Sequence, residues 1–368
     1  MVAPSRDRWR TRRLTRVACI AALLALAGCT SPVTPVLGCK AADGIEPICE
    51  FRNPEDIAAT PSGWLLVSQM AEPNGALRGS IAAYQPSSGR VEVLFPVGEF
   101  EDVRDWGDPN CAPPSITNFA PHGIDLERRP DGALQLLVID HGGRESVEFI
   151  EVEQSDAGLA LAWRGCVMAP DDAYLNDVVT RRAGGFWATN MMSKRHQFIA
   201  LLKTLFGADT GNVVRYVPHA GFAVEPGSAM SMPNGIEKGP NEDVLYVAAF
   251  GGNEVRKLDL AKGTVTARAK VARPDNITWT DDGKLLVASH TDSFIELTRC
   301  RNLAVGACGT AFEVVALDPD TLAQFVWLAH RGAPIGGVSA ALRVGDVVYL
   351  GSFAGDRIAR WHIVGTPP

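Results

Sequence analysis

DNITWTDDGKLLVASH, residues 275–290, holds a complete structural unit in one short stretch. Two polar residues, Asp275 and Asn276, lead into Ile277 and a first run ending near Thr280. Asp281-Asp282-Gly283 then supplies the positive-φ positions that a tight turn demands. Leu285 to His290 follows as a second run rich in residues that favour strands. The stretch therefore reads as a β-hairpin with a polar pair at its entrance.

The same unit recurs. It is found as EDIAATPSGWLLVSQ from Glu55, HGIDLERRPDGALQLLVIDH from His122 and NDVVTRRAGGFWATN from Asn176. It returns as NGIEKGPNEDVLYVAAF from Asn234 and, more loosely, as GGVSAALRVGDVVYLGSF from Gly336. The starts lie 41 to 67 residues apart, room for about four short strands and their loops, which is the size of a propeller blade. Six units predict an all-β chain folded as a six-bladed β-propeller over residues 38–368. Gly79–Val97 and Asn212–Val224 read as outer strands. Residues 193–206, SKRHQFIALLKTLF, read as a surface helix over one face. A β-sandwich with accidental similarity between its hairpins is the competing architecture.

Composition narrows the function. The chain has 46% hydrophobic and 21% charged residues, ordinary for a globular protein, and 36 Gly and 24 Pro for its many turns. Thirty-five basic against 42 acidic residues give a net charge of −7, which argues against nucleic-acid binding. The first residues carry six Arg and one Asp, then an apolar run from Val17 to Ala27 ending in Leu26-Ala27-Gly28-Cys29. That is a secretory signal over residues 1–28, too short to span a bilayer. Its ending resembles a bacterial lipobox, which implies cleavage before Cys29 and lipid on that thiol. Arg12-Arg13 also fits a twin-Arg export signal. The body expected after cleavage is acidic and exported, tethered through residues 29–37, with the lipid as its only membrane attachment. It would lie at the cell envelope, on the outer-membrane or periplasmic face in a Gram-negative cell. In an oxidising compartment the remaining six Cys are expected to pair. Cys39/Cys49 and Cys300/Cys308 would close short loops, leaving Cys111/Cys166 by elimination.

In a propeller the innermost strands surround a channel, so equivalent repeat positions meet. Those positions are Glu55-Asp56, His122-Gly123, Asn176-Asp177, Asn234-Gly235, Asp275-Asn276 and Gly336-Gly337. Four carboxylates and three Asn amides would converge where apolar residues are cheaper to bury. Carboxylates so placed must stay protonated or acquire a cation. An all-oxygen donor set suits Ca²⁺ over Zn²⁺ or Mg²⁺.

The chain resembles the paraoxonase/arylesterase family of six-bladed calcium propellers, within the wider gluconolactonase and regucalcin-like set. The resemblance runs from about Asn53 to His290. It is carried by P-E-D-I at 54–57, P-H-G-I at 121–124, L-L-V-I-D-H at 136–141 and L-N-D-V at 175–178. A-T-N at 188–190, P-N-G-I at 233–236, D-N-I at 275–277 and S-H at 289–290 complete it. The resemblance implies two calcium ions. Glu55, Asn176, Asn234, Asp275 and Asn276 would surround a catalytic ion; Asp56, Asp177 and the carbonyl of Ile124 would hold a structural one. It also implies a catalytic histidine pair, His122 and His141, with His290 at the mouth. The chain departs from the family at Met191-Met192, where an Asp-His pair is usual, and has no Cys beyond 308 to bridge the chain ends.

The resemblance implies a calcium-dependent hydrolase of lactones and aryl esters. The metal would polarise a carbonyl, and His122, with a pKa expected near the ordinary 6.5, would activate water. Asn176, Asn234 and His290 would contact a small-molecule ester or lactone. A calcium-stabilised binding module without catalysis is one alternative; a sugar-lactone hydrolase of the gluconolactonase type is another. Neither GxSxG, HExxH nor a P-loop is present.

Overall fold

Each repeat hairpin forms the inner half of a four-stranded antiparallel sheet, and among the described residues six such sheets follow one another, the second extended by a short parallel strand at Trp106–Gly107. The computed structural model describes residues 34–73, 75–98, 101–155, 158–303 and 305–363. The expected signal segment and Cys29 lie outside these residues. The inner strands are Pro54–Ala59, Pro121–Arg128, Ala173–Thr180, Pro233–Lys238, Pro274–Trp279 and Val338–Val344. Each packs against the inner strands of its two neighbours, and the sixth returns to the first, closing a six-bladed propeller.

Burial explains the strand sequences. The second strand of a blade has neighbouring blades on both faces, so Leu65–Gln69, Leu134–Asp140 and Leu285–His290 are buried at every position. A strand covered on both faces needs a nearly continuous apolar run, and these supply one. The outermost strand of blade 4, Thr264–Lys270, has only Ala269 buried and carries polar residues between its apolar ones. The outer strands expected in blades 1 and 3 are present as Ser80–Gln85, Arg90–Phe95, Asn212–Val217 and Gly221–Val224.

All six inner strands lose pairing register at the same level. The shifts fall at Pro54/Asp56, Pro121/Ile124, Leu175/Val178, Pro233/Ile236, Pro274/Ile277 and Val338/Ala340. These irregularities re-aim the side chains between them, as β-bulges do. Proline at four of the six entrances fits, since it has no N–H for the ladder. In blade 6 the shift brackets Ser339, so Ser339-Ala340, and not Gly336-Gly337, occupies the ring position. The sequence alignment was displaced there because Gly336-Gly337 imitates the Asn-Gly of blade 4. Gly337 instead has φ +62° and turns the chain into the strand.

Among the described residues no backbone ladder joins one blade to the next, and ring side chains bridge the gap. Asp56 accepts from Ile124 N–H (2.9 Å) and Asp177 from Ile236 N–H (2.8 Å). Ser68 Oγ donates to the His122 carbonyl (2.5 Å), Thr189 Oγ1 to that of Asn234 (2.6 Å) and Ser339 Oγ to that of Glu55 (2.7 Å). The blades approach closely enough that Gly123 and Gly235 have no room for a Cβ. At Gly123 it would lie 2.4 Å from Asp177 Oδ1 and 2.7 Å from the Asn176 carbonyl.

The ring closes through the segment Ile45–Ile48, which pairs antiparallel with Ile358–His362 as the outer strand of blade 6. Cys39–Cys49 brackets that segment, and Cys111–Cys166 and Cys300–Cys308 complete the expected disulfides. Val36, inside the expected tether, already belongs to the propeller: it exchanges backbone hydrogen bonds with Ala307 and accepts from buried Arg357. Two short helices lie between strands, α1 (Gln197–Thr204) within the expected segment and α2 (Phe294–Cys300) in blade 5. Among the described residues no helix is long and apolar enough to cross a membrane.

Gly123→Ala is expected to destabilise the fold by about 3 kcal/mol, the upper end for overpacking, because the atoms it meets include backbone. Gly38→Ala, where nothing lies within 4 Å, is the control. Thermal unfolding of the two variants side by side checks this.

Candidate active site

The register shifts deliver polar side chains from four blades to one level of the channel. Glu55, Asn176, Asn234, Asp275 and Asn276 are each at most 6% exposed. Asn276 Nδ2 donates to Glu55 Oε1 (2.9 Å), which fixes the amide. Four buried oxygens are left without any partner: Glu55 Oε2 and the Oδ1 atoms of Asn176, Asn234 and Asn276. A buried unpaired oxygen costs about 1–3 kcal/mol, so four at one level of the ring call for a shared partner. Carboxylate and amide oxygens are the donors a hard cation such as Ca²⁺ takes, and these residues fit one. Among the described residues no three His, Cys, Asp or Glu side chains gather as a metal site by themselves. Three of the four partnerless oxygens at this level belong to amides.

Asp56 and Asp177 are placed differently. Asp56 accepts from Ile57 and Ile124 N–H, and Asp177 from Val178 and Ile236 N–H, so each carboxylate oxygen already has a partner. Their side chains line a cavity of about 160 Å³ beyond the ring, together with Ile124, Asp125 and Glu237. Burial pushes the Asp56 carboxyl up to about 7 and that of Glu237 to about 8, the latter helped by Asp125. Glu55 and Asp177 are also raised well above the ordinary range, by burial first and then by neighbouring carboxylates.

On the other side of the ring opens a cavity of about 570 Å³ that Glu55, Asn234 and Asp275 reach from below. His122, His141 and His290 line it. His122 Nδ1 and His141 Nε2 are 2.9 Å apart, and His122 Nε2 lies 3.7 Å from Glu55 Oε1. Burial, then the neighbouring His141, pushes the His122 imidazole down to about 3. His122 is thus neutral over the physiological range, and the expected ordinary value is not met. His290 Nε2 contacts Asp275 Oδ2 (2.7 Å), so one oxygen of that carboxylate is engaged by the histidine.

Three residues at this site had no motif to announce them. Glu145 places Oε1 2.9 Å from His141 Nδ1, a short electrostatic contact set off the N–H axis. Lys194 Nζ donates to Glu145 Oε2 (3.1 Å), and the Tyr174 ring stacks on His141 at 4.7 Å. The only sequence signal was a glutamate four residues after His141. One part of the wall is apolar: Met191 and Met192 are buried in one cluster with Met232, Phe250 and Leu297, while Glu72, Gln197 and Arg301 line other parts. Met191-Met192, standing where an Asp-His pair was the expected pattern, contribute thioethers to this cluster.

Comparison with known proteins gives a consistent answer. The arylesterase family profile matches residues 111–301, just over half of the chain. Canine serum paraoxonase/arylesterase 2 is 26% identical over 183 residues, 48% of this chain and 50% of that protein. Human serum paraoxonase/arylesterase 1 is 25% identical over 220 residues, 59% of this chain and 58% of that one. The chain spans about half the length of the curated relatives it matches. A gluconolactonase from Xanthomonas campestris superposes with a TM-score of 0.51 at 16% identity, covering 92% of this chain and 98% of its own. A luciferin-regenerating enzyme superposes with a TM-score of 0.54 at 13% identity, covering 88% and 96%. These likenesses show the propeller fold.

The channel carboxylates predict a pH dependence. Asp56 sits at about 7 in the fold against 3.8 ordinarily, so the folded protein binds its proton more tightly than the unfolded chain. That contribution is complete below about pH 4 and is lost as the pH rises through 7. Protein freed of divalent cations by a chelator is expected to melt at a lower temperature at pH 8 than at pH 5. A midpoint that climbs over that interval would contradict the assignment.

Proposed function

The chain belongs to the arylesterase family, and from that membership we propose that it is a calcium-dependent hydrolase of lactones and aryl esters. The observation that carries the reading is the set of four partnerless buried oxygens beneath the cavity that the His122–His141 pair lines. Glu55, Asn176, Asn234, Asp275 and Asn276 would hold the ion. When bound, a divalent cation there supplies a Lewis acid toward a substrate carbonyl.

The chain's own residues do the rest. Neutral His122 accepts a proton from water on Nε2, the nitrogen nearer Glu55, and Nδ1 passes its proton to His141. The amide N–H groups of Asn176 and Asn234 are suited to hydrogen-bond the substrate's ester group. His290 orients Asp275 and forms part of the wall. Met191, Met192, Met232 and Phe250 exclude water and accept an acyl or aryl substituent, which favours such substrates over polar sugar lactones. For the second ion expected at Asp56, Asp177 and Ile124 the support is thinner, because neither carboxylate has an oxygen without a partner. Export belongs to the same proposal, and the three disulfides favour an oxidising compartment.

Phenyl acetate and a small lactone are to be assayed with calcium and with chelator. Hydrolysis that disappears on chelation and returns with calcium is the expected result. Asp275→Ala is expected to lower kcat/KM by about 100-fold or more and to weaken calcium binding in titration of metal-stripped protein. His122→Ala should cost roughly 100-fold in kcat while calcium binding persists. Metal-stripped protein that takes up no calcium would remove the proposal's foundation. Binding without turnover on any ester or lactone would leave the binding module.

A further inference from the structure

The turn after the second strand of blade 2 reverses the chain within four residues. Asp140 Oδ1 accepts the N–H groups of Ala120 and Gly142, and Gly143 has φ +78°. This brings Glu145, 8% exposed, back over His141. Its carboxylate is held from three directions. Oε1 accepts Leu175 N–H (2.7 Å) and lies 2.9 Å from His141 Nδ1, while Oε2 accepts from Lys194 Nζ (3.1 Å). Arg144, its chain neighbour, is committed elsewhere, to Glu148 (2.6 Å).

The carboxylate oxygen 2.9 Å from Nδ1 of His141, although off its N–H axis, favours by its charge the tautomer with the proton on that nitrogen. His141 Nε2 is then the acceptor, and His122 Nδ1 the donor, of the bond between the two rings. That leaves the lone pair of His122 on Nε2, directed away from His141. Reversed, the same bond would put a proton on His122 Nε2 and abolish its ability to accept one from water. Nothing in the bond between two chemically identical rings selects the direction; the selection comes from the carboxylates outside the pair, of which Glu145, 2.9 Å from His141 Nδ1, is nearer than Glu55, 3.7 Å from His122 Nε2.

We propose that Glu145 is the positioning residue of the site, fixing the tautomer of His141 and through it that of His122, and opposing the positive charge that reaches His141 during turnover. The proposal rests on the hydrolase reading. Water gives its proton to His122 Nε2 and attacks the carbonyl carbon as hydroxide. The Nδ1 proton of His122 moves to His141 Nε2, and the charge comes to rest on His141 beside the carboxylate. Return of the proton along the same two bonds protonates the departing alkoxide, and both rings regain their starting state.

Two substitutions separate this role from a structural one. Glu145→Gln keeps an oxygen for Leu175 N–H and removes the charge. Glu145→Ala removes both. The Gln variant is expected to keep KM within about twofold and lose about tenfold in kcat; the Ala variant loses about 100-fold. If the residue only anchors Leu175, the Gln variant matches the wild type, and the proposal falls. Side-chain nitrogen NMR of histidine-labelled protein, assigned with His141→Gln, reads the tautomer without reference to activity. The wild type and the Gln variant are expected to show His141 protonated on Nδ1, and the Ala variant a mixture. A wild-type His141 with bare Nδ1 overturns the proposal even if the enzyme is active. A wild type that hydrolyses no ester or lactone overturns the hydrolase reading, and the nitrogen spectra still decide the tautomer.

Discussion

Neighbouring blades of a propeller share no hydrogen-bonded ladder, and everything at the centre of this molecule follows from that gap. The inner edge of each sheet presents N–H and C=O groups that are buried and must find partners. Here they find them in side chains of the adjoining blade. Asp56 and Asp177 take N–H groups from blades 2 and 4, while Ser68, Thr189 and Ser339 give protons to carbonyls of blades 2, 4 and 1. Polar residues at the repeat starts are therefore required by the backbone before any ligand is considered. What exceeds that requirement is Glu55 and the three Asn residues, whose remaining oxygens answer to nothing in the protein.

That distinction sorts the polar centre into two parts. Asp56 and Asp177 work chiefly as rivets between blades, and their burial raises their carboxyls toward neutrality. The Glu55 group, one strand position earlier in blade 1, faces the open cavity. A single dipeptide, Glu55-Asp56, thus serves both parts, because successive residues of a strand point in opposite directions even where the ladder is irregular. The cavity above combines this polar floor with a wall of thioethers and aromatic rings, so a substrate would have its reactive end and its apolar end held by different chemistry.

The sequence made the propeller legible because its evidence is local and repeated. Turn residues, apolar runs and the polar pair recur in order, and the disulfides follow from spacing. Legibility failed where partners come from far along the chain. The sixth repeat was read three residues early, since its glycines mimic Asn-Gly and only the shift around Ser339 corrects it. The environment of His122 depends on how deeply six blades bury it. Glu145 sits in an unrepeated turn, and its meaning depends on Leu175 and Lys194, which belong to the next blade. Asp56 and Asp177 also cap N–H groups of the adjoining blade, a partnership hidden in the sequence because Ile124 and Ile236 lie far along the chain.

The closure of blade 6 by Ile45–Ile48 ties the site to the order in which the chain is made. That segment emerges early, yet its partner, Ile358–His362, comes more than three hundred residues later. Ser339, which fixes the Glu55 carbonyl, also belongs to the last blade. A nascent chain can form blades 2 to 5 one after another, but the pocket around Glu55 cannot exist until translation has passed the end of blade 6. The surroundings of Glu55 are therefore completed only when blade 6 has joined blade 1. At this seam the circle is held by strands adjacent in space and distant in sequence, Ile45–Ile48 and Ile358–His362.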